Sequence, residues 1–241
     1  HLDTGACNDK RVLIRSSRPL QAARLFNGKT PGEVMMLVPM LYNICGNAQA
    51  AAAYMACMRA QGCSMTGQEP VCRAHEALLL CETAREHLYR ILMDWPRYLG
   101  EKDNSGALQP LMQFPVQFSN ALFVNGHAFS EAACLDCQTG QCFQLLKELD
   151  ELVERHVYAM PAAEWLNVIE PGGFDNRHEQ GETVAARMIR FIRESGWEEL
   201  GSSTIGFLPA MDERELARVF STTGADALIA APEWDHQPRE T

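Results

Sequence analysis

The longest regular alternation of apolar and polar positions follows the Glu69-Pro70 pair. Apolar residues recur there at spacings of three and four, at Ala77, Leu80, Ala84, Leu88 and Ile91. This period matches the α-helical turn and predicts an amphipathic helix over residues 71–93. The opposite face is expected to carry the charged side chains of Glu82, Arg85, Glu86 and Arg90. Asp94, Trp95 and Pro96 are predicted to end this helix.

Shorter patterns predict further helices along the chain. Thr30 and Pro31, with Glu33 in the first turn, form a helix-start signal in which the threonine is the cap. Helices are also predicted over residues 20–26, 46–61, 107–118 (interrupted at Pro115), 143–158, 162–169, 182–195 and 212–220. One stripe of the helix over 143–158 holds Leu145, Leu149, Leu152 and His156. Short strands are expected at 10–16 and 227–231, and polar loops at 100–106 and 170–181. The fold class is therefore mainly α, a long-helix bundle with a few short strands.

Composition limits the classes of function. The chain has 241 residues, of which 46% are hydrophobic, enough for one large domain or two small ones. The formal net charge of -10 argues against a general nucleic-acid binder, which needs a basic face. No apolar run approaches the roughly 20 residues that span a membrane. Because the chain begins at His1 and not at methionine, and stops at Thr241, we expect material to be missing at both ends.

Nine cysteines stand out in this composition: Cys7, Cys45, Cys57, Cys63, Cys72, Cys81, Cys134, Cys137 and Cys142. An odd count, a long chain and several positions on predicted helices favour free thiols over a disulfide framework. Free thiols in this number indicate a reducing compartment, and the expected location is cytoplasmic.

Cys45 is the cysteine with the most suggestive local setting. It precedes Gly46, where an alanine-rich helix is predicted to begin. The unpaired N–H groups and the positive dipole end of a helix start favour a thiolate over a thiol. Such a thiolate is a good soft-metal ligand or nucleophile. The alternative is a buried structural cysteine, which local chemistry alone favours because buried cysteines are common.

A second group has the spacing Cys134-x2-Cys137-x4-Cys142. A zinc or iron–sulfur site normally needs a fourth ligand, for which His127 is the nearest candidate. A single CxxC pair is weak evidence, so the alternative is three thiols on a loop-to-helix segment. His75 and His87 are twelve residues apart and do not share one tight helical face, which predicts separate hydrogen-bonding roles. Motifs for dinucleotides, P-loop phosphates, zinc peptidases and serine hydrolases are absent.

Several stretches together resemble [NiFe]-hydrogenase large subunits. They are residues 15–19 (RSSRP) with Gly28-Lys29, a helix leading into Ile44-Cys45-Gly46, residues 85–95 (REHLYRILMDW) and residues 232–241 (PEWDHQPRET). In that family a segment R-x-C-G-x-C-x-x-x-H follows such a helix and supplies two cysteines of the nickel site. The resemblance implies one hydrogenase-large-subunit-like domain over residues 1–241, truncated at both ends.

The departures from the family pattern concern the metal ligands. Asn43 stands where the family has arginine, Cys45 matches the first cysteine, Ala48 replaces the second and Ala52 replaces the histidine. The C-terminal D-P-C-x-x-C pair, which supplies the other two ligands, is not in this chain. A four-thiolate nickel–iron site cannot be assembled from these residues. The resemblance therefore implies no nickel and no catalysis on hydrogen.

A degenerate large subunit of this kind is similar to the hydrogenase expression/formation proteins of the HupK/HoxV type. That similarity implies a non-catalytic maturation scaffold, which holds iron transiently as Fe(CN)2(CO) for delivery to the large subunit. Cys45 is the expected ligand, and Cys134, Cys137 or Cys142 is expected to supply a second thiolate. The implied partners are the maturation proteins that build the iron fragment and the hydrogenase large subunit. The alternatives are a metal-free interaction chaperone and, disfavoured by the missing ligands, a degenerate nickel–iron redox enzyme.

Overall fold

The computed structural model describes residues 2–3, 13–14, 22–42, 44–64, 67–167, 181–202, 213–224, 233–234 and 237–238. These residues are mainly helical, which confirms the mainly α part of the predicted fold class. The chain divides into two compact units, His1–Ile189 and Arg190–Thr241. The organisation as a single domain stays a prediction.

The α-helices are α1 (Pro31–Leu41), α2 (Gly46–Ala60), α3 (Glu69–Tyr89), α4 (Trp95–Tyr98), α5 (Leu108–Leu122), α6 (Thr139–Val153), α7 (Ala162–Leu166), α8 (Val184–Glu194) and α9 (Glu213–Thr223). Turns of 3-10 helix cover Ala22–Phe26, Ser105–Ala107 and Val124–Gly126, and π-helical turns cover Arg90–Asp94 and Glu154–Tyr158. In the described part of the chain no helix is both long and apolar enough to span a membrane.

Extended structure is limited, within the described residues, to short pairings. Strand β1 (Leu2–Asp3) pairs antiparallel with β2 (Leu13–Ile14), and β3 (Glu233–Trp234) pairs antiparallel with β4 (Gln237–Pro238). Strand β2 lies inside the strand predicted at 10–16, whereas the strand predicted at 227–231 lies outside the described residues. These two-residue pairs add no sheet layer to the helices.

The start of α1 has the predicted cap. Thr30 Oγ1 accepts a hydrogen bond from the Glu33 N–H (3.3 Å), and the Thr30 N–H donates to Glu33 Oε2 (2.8 Å). Pro31 occupies the first helical position, where its missing N–H has no intrahelical partner to lose. The reciprocal bonds form a capping box and fix where α1 begins.

The face assigned to the first half of α3 is wrong. The buried residues are Ala74, His75, Leu78, Cys81, Glu82 and Leu88, whereas Ala77 and Leu80 are exposed. Glu82, expected on the solvent side, is only 6% exposed. The buried set has helical spacing too, but it includes two polar side chains with specific partners inside the fold. A pattern that treats His and Glu as surface residues therefore selects the wrong stripe.

Asp94, Trp95 and Pro96 do not end the long helix, contrary to the prediction. The backbone passes through the π-helical turn Arg90–Asp94 and continues as α4. Pro96 lies in the first turn of α4, where its missing N–H does not disrupt the helix. The helical rod ends at Gly100, which has the left-handed φ of 70°. The following loop folds back, and the Asn104 N–H donates to the Leu92 carbonyl at 3.0 Å.

Two other helices differ from their predicted bounds. Helix α5 runs through Pro115 without interruption; Pro115, Phe114 and Phe118 are all buried. Packing of this face against the core outweighs the hydrogen bond that proline removes. Helix α6 begins at Thr139, four residues before the predicted start, so Cys142 lies inside it.

The apolar stripe predicted on the helix over residues 143–158 is confirmed. Leu145 and His156 are buried, and Leu149 and Leu152 are half-buried.

The core of the first unit lies between α3, α5 and α6. Its largest fully buried side chains include Phe114, Phe123, Leu78, Leu92 and Leu111. A smaller cluster of Met35, Tyr54 and Met58 joins α1 to α2. In the second unit, Phe191 and Trp197 meet edge to face with ring centroids 5.4 Å apart. The first unit therefore has a firm helical core against which the α1–α2 pair is held.

Candidate functional site

Cys45 occupies the cap position of α2, as the sequence predicts. Its carbonyl accepts the Gln49 N–H at 3.0 Å, which is the first bond of the helix. The side chain is half-buried and makes no capping hydrogen bond. The thiol is therefore placed at the helix start and is not committed to the backbone there.

The N–H groups of this helix start are bound by a carboxylate from α3. Glu82 Oε1 accepts the Asn47 N–H at 2.9 Å, and Glu82 Oε2 accepts the Ala48 N–H at 3.0 Å. Because Glu82 already accepts hydrogen bonds from both N–H groups, these two groups are not unpaired. The expectation that they favour a thiolate at Cys45 is therefore wrong. Glu82 acts as a cap supplied from another helix.

Arg85 binds the backbone on the other side of Cys45. Its Nη2 atom donates to the Ile44 carbonyl at 2.6 Å, and the same atom lies 2.6 Å from Glu86 Oε1. The Arg85 side chain is 11% exposed. The guanidinium charge is therefore balanced by Glu86 while the group holds the residue before Cys45.

The side chains that replace the remaining ligands of the family motif face solvent. Ala48 and Ala52 are both exposed, about one and two turns beyond Cys45. Asn43, the third departure from the motif, lies outside the described residues. No group of three or more His, Cys, Asp or Glu side chains that could hold a metal ion occurs within the part of the chain that the structure describes. Cys45 therefore stands as a single thiol donor on this helix start.

Exposed apolar side chains occur on the segment before Cys45. Met36 and Met40 on α1 are 65% and 76% exposed, and Ile44 is 61% exposed. Single exposed apolar residues need no explanation, but these three lie on the segment that leads directly into Cys45. The segment that precedes Cys45 therefore exposes apolar side chains.

The other predicted cysteine group is only partly brought together. Cys142 in α6 is half-buried, its Sγ lies 3.8 Å from the Ala121 carbonyl, and its thiol contacts that of Cys137. Burial, reinforced by Cys137, raises the pKa of the Cys142 thiol. Cys134 and His127 are both exposed. A metal-binding role for Cys134, Cys137 and Cys142 stays a prediction.

Of the two histidines of α3, His75 has the predicted hydrogen-bonding role, whereas that of His87 stays a prediction. His75 is buried, and its Nε2 atom lies 2.6 Å from the Ala128 carbonyl, which can only accept a hydrogen bond. The ring contacts Phe123, stacked at 5.3 Å, and Tyr54, edge-on at 4.9 Å. Desolvation lowers the pKa of His75, only partly offset by the bond to Ala128. His87 is exposed.

Sequence reasoning missed Glu82 and Arg85 as parts of the site. One signal was available: the cap position of α2 is a cysteine followed by glycine, and neither the Cys45 side chain nor Gly46 supplies the usual capping oxygen. A helix without its own cap needs an acceptor from elsewhere. Which residue supplies it follows only from the packing of α3 against α2.

No protein-family model matches the chain, and no solved structure matches it. The likeness to a truncated hydrogenase large subunit accordingly stays a prediction.

Several curated proteins match part of the chain. The hydrogenase expression/formation protein HupK of Rhizobium leguminosarum is 32% identical over 91 residues, which are 38% of this chain and 24% of that protein. HupK of Rhodobacter capsulatus is 35% identical over 89 residues, 37% of this chain and 26% of that protein. HoxV of Cupriavidus necator is 40% identical over 87 residues, 36% of this chain and 21% of that protein. The matched region spans about a quarter of the length of these relatives. Over a little more than a third of its length, the chain is thus similar to the hydrogenase expression/formation proteins of the HupK and HoxV type.

Proposed function

We propose that this chain is a non-catalytic maturation scaffold for [NiFe]-hydrogenase, which holds the Fe(CN)2(CO) fragment through Cys45. The names of its relatives, hydrogenase expression/formation proteins, support a role in maturation. The observation that carries the proposal is the half-buried Cys45 thiol at the start of α2, with alanines beside it where the family motif has ligands. One thiolate without its companions suits temporary binding better than a permanent metal site.

The chemistry of the cargo fits a site with few protein donors. A ferrous dicyanide carbonyl brings three strong ligands of its own and prefers soft thiolate ligation from the protein. A half-buried thiol shields the iron in part while leaving it accessible to a receiving protein. Fewer protein thiolates should also make release easier than from a four-cysteine site. Iron is therefore cargo, and no nickel and no turnover are expected.

The partners follow from the direction of transfer. The fragment must come from the maturation proteins that build it, and it must pass to the hydrogenase large subunit. This exchange requires a cytoplasmic protein that both partners can reach. Cys134, Cys137 and Cys142 are kept as the source of a second thiolate, because two of these thiols are in contact.

A metal-free interaction chaperone is the second candidate. The exposed Met36, Met40 and Ile44 favour it, since apolar side chains on the surface can dock a partner without any metal. A degenerate redox enzyme stays disfavoured because Ala48 and Ala52 carry no ligand atoms.

Infrared spectroscopy distinguishes the two candidates. The protein is purified from cells that express a complete hydrogenase operon, and the CN and CO stretching bands are recorded with an iron analysis. If the protein is the scaffold, we expect iron together with all three CN and CO bands. Both should be lost in Cys45→Ser and retained in the matched control Cys63→Ser, which replaces an exposed cysteine just after α2. Absence of both iron and bands would leave the metal-free chaperone. Bands that survive Cys45→Ser but not Cys142→Ser would move the iron to the other group.

A further inference from the structure

Glu82 and Arg85 both contact the backbone around Cys45, one on each side of it. We propose that they form a positioning pair, which fixes the Cys45 turn and thereby the direction of its thiol. Their purpose in holding cargo rests on the proposed function, whereas their effect on Cys45 does not. Neither residue is suggested as a ligand.

The contacts bracket Cys45 along the chain. Arg85 binds the carbonyl of the residue before it, Ile44, at 2.6 Å. Glu82 binds the N–H groups of Asn47 and Ala48 at 2.9 and 3.0 Å. Because the two side chains are three residues apart on one helix, a single turn of α3 fixes the backbone on both sides of the thiol.

Burial makes this arrangement specific. Glu82 is 6% exposed, and a buried carboxylate is costly unless its oxygens are hydrogen-bonded. Each oxygen takes one N–H, so the carboxylate is committed to the helix start. The opposite charges of Arg85 and Glu86 are paired at 2.6 Å. Glu82 and Arg85 therefore bind the backbone and leave the Cys45 thiol as the available donor.

Occupation of the helix end has a consequence for the cargo. The N–H groups of Asn47 and Ala48 would otherwise be free to stabilise negative charge beside Cys45. With Glu82 on them, they cannot hold the cyanide ligands of the iron fragment. At this helix start the grip on the fragment is thus limited to the Cys45 thiolate, which favours release to the next protein.

The first test measures the backbone and the thiol without any iron. Glu82→Ala, Glu82→Gln, Arg85→Ala and Arg85→Lys are compared with Glu76→Ala, the matched control at an exposed glutamate on the same helix. Amide hydrogen exchange is followed at Asn47 and Ala48, and site-resolved iodoacetamide labelling at Cys45. Exchange in Glu82→Ala should accelerate about tenfold, the order expected for loss of a hydrogen bond to a charged group. Glu82→Gln, which keeps one acceptor oxygen, should give an intermediate rate.

The labelling rate of Cys45 should change severalfold in Glu82→Ala and in Arg85→Ala. Arg85→Lys should show a smaller change than Arg85→Ala. The exposed Cys134 should label at the wild-type rate in every variant. Circular dichroism verifies that each variant is folded, and Glu82→Gln and Arg85→Lys serve if the alanine variants are not. Wild-type exchange and labelling rates in the folded variants would overturn the positioning pair.

The second test separates positioning from a merely structural role. In iron-loaded protein, Arg85→Lys should shift or split the CN and CO bands, because the thiolate changes its direction relative to the iron. A structural role would lower the amount of iron at unchanged frequencies, and that outcome overturns the proposal. If the wild-type protein carries no bands while Cys45 labelling still responds to Glu82, the positioning pair stands and the proposed function fails.

Discussion

Arg187 and Glu101 are joined by two parallel hydrogen bonds, from Nε to Oε1 at 2.9 Å and from Nη2 to Oε2 at 2.7 Å. The pair connects the start of α8 to the loop that follows α4. Such a two-pronged geometry is stronger than an ordinary surface ion pair. The side chains are 28% and 39% exposed, so solvent screening reduces its contribution.

Replacing this arginine should therefore destabilise the first unit only modestly. We expect Arg187→Ala to lower the free energy of unfolding by about 0.5–1 kcal/mol, and Arg187→Lys to recover only part of this, because lysine cannot form both bonds. A double-mutant cycle with Glu101→Ala, measured by urea denaturation, isolates the coupling. Additive effects of the two single variants would show that the pair contributes nothing.

The proposed function predicts that restoring a cysteine at the second motif position strengthens the hold on the iron fragment. Ala48 has an exposed side chain at the position of the family's second cysteine, so Ala48→Cys would add a thiolate one turn from Cys45. We expect iron to be lost from this variant at least about tenfold more slowly, equivalent to about 1.4 kcal/mol. The decay of the CN and CO bands during gel filtration measures the rate. Ala56→Cys, exposed on the same helix, is the control and should match the wild type.

Stability should fall on mild acidification. The pKa values of His75 and His156 are lowered, chiefly because burial disfavours the charged imidazolium. Below the ordinary value of 6.5 the unfolded chain therefore binds more protons than the folded chain, and the free energy of unfolding decreases as the pH falls.

Urea titrations between pH 7.5 and about pH 5 would measure this slope. The stability attributable to the two histidines should be complete above pH 6.5 and decline below it. His75→Gln, whose amide can still donate to the Ala128 carbonyl, should flatten the slope. His87→Gln, on the exposed side of α3, should leave the slope unchanged. Equal flattening by both variants would contradict the attribution of the pH dependence to the buried His75.

The thiols should react with alkylating reagents in order of burial. Cys81 is buried, and desolvation raises its pKa to about 12, so little thiolate is present at neutral pH. It should label last, whereas the exposed Cys63, Cys134 and Cys137 label first. Mass spectrometry of peptides after timed iodoacetamide treatment gives the rates. In urea the differences should disappear, and early labelling of Cys81 in the native protein would refute its buried placement.

Loss of the α1 cap should cost about 1 kcal/mol. Thr30→Ala removes the oxygen that accepts the Glu33 N–H, and caps of this type contribute about that much. Thr30→Ser keeps the oxygen and should retain most of the stability. The midpoint of urea unfolding measures both variants, and identical midpoints for the alanine and serine variants would show that the cap is not stabilising.

Two helix starts could be predicted from the local sequence alone. The Thr30–Glu33 box and the start of α2 at Gly46 depend on local chemistry, and both stand as predicted. The passage through Pro115 depends on burial against distant residues, which local propensity does not contain. The burial of Glu82 is of the same kind, because the carboxylate is stabilised by N–H groups some 35 residues earlier in the chain.

The site was predictable only as far as its thiol. The sequence indicates Cys45 and its place at a helix start, since cysteine, glycine and the alanine-rich run are contiguous. The carboxylate that caps the helix and the guanidinium that holds Ile44 come from α3 and emerge only from tertiary packing. Motifs identify donors, whereas the groups that orient a donor are distributed over the fold.

The π-helical turn at Arg90–Asp94 affects how this chain should be aligned with others. A π turn holds one more residue than an α turn, which is the structural trace of a one-residue insertion in a helix. A relative whose helix stays α-helical throughout should therefore align with a single gap in this turn. Without that gap, every pairing from Trp95 to Tyr98 would be about 100° out of phase around the helix.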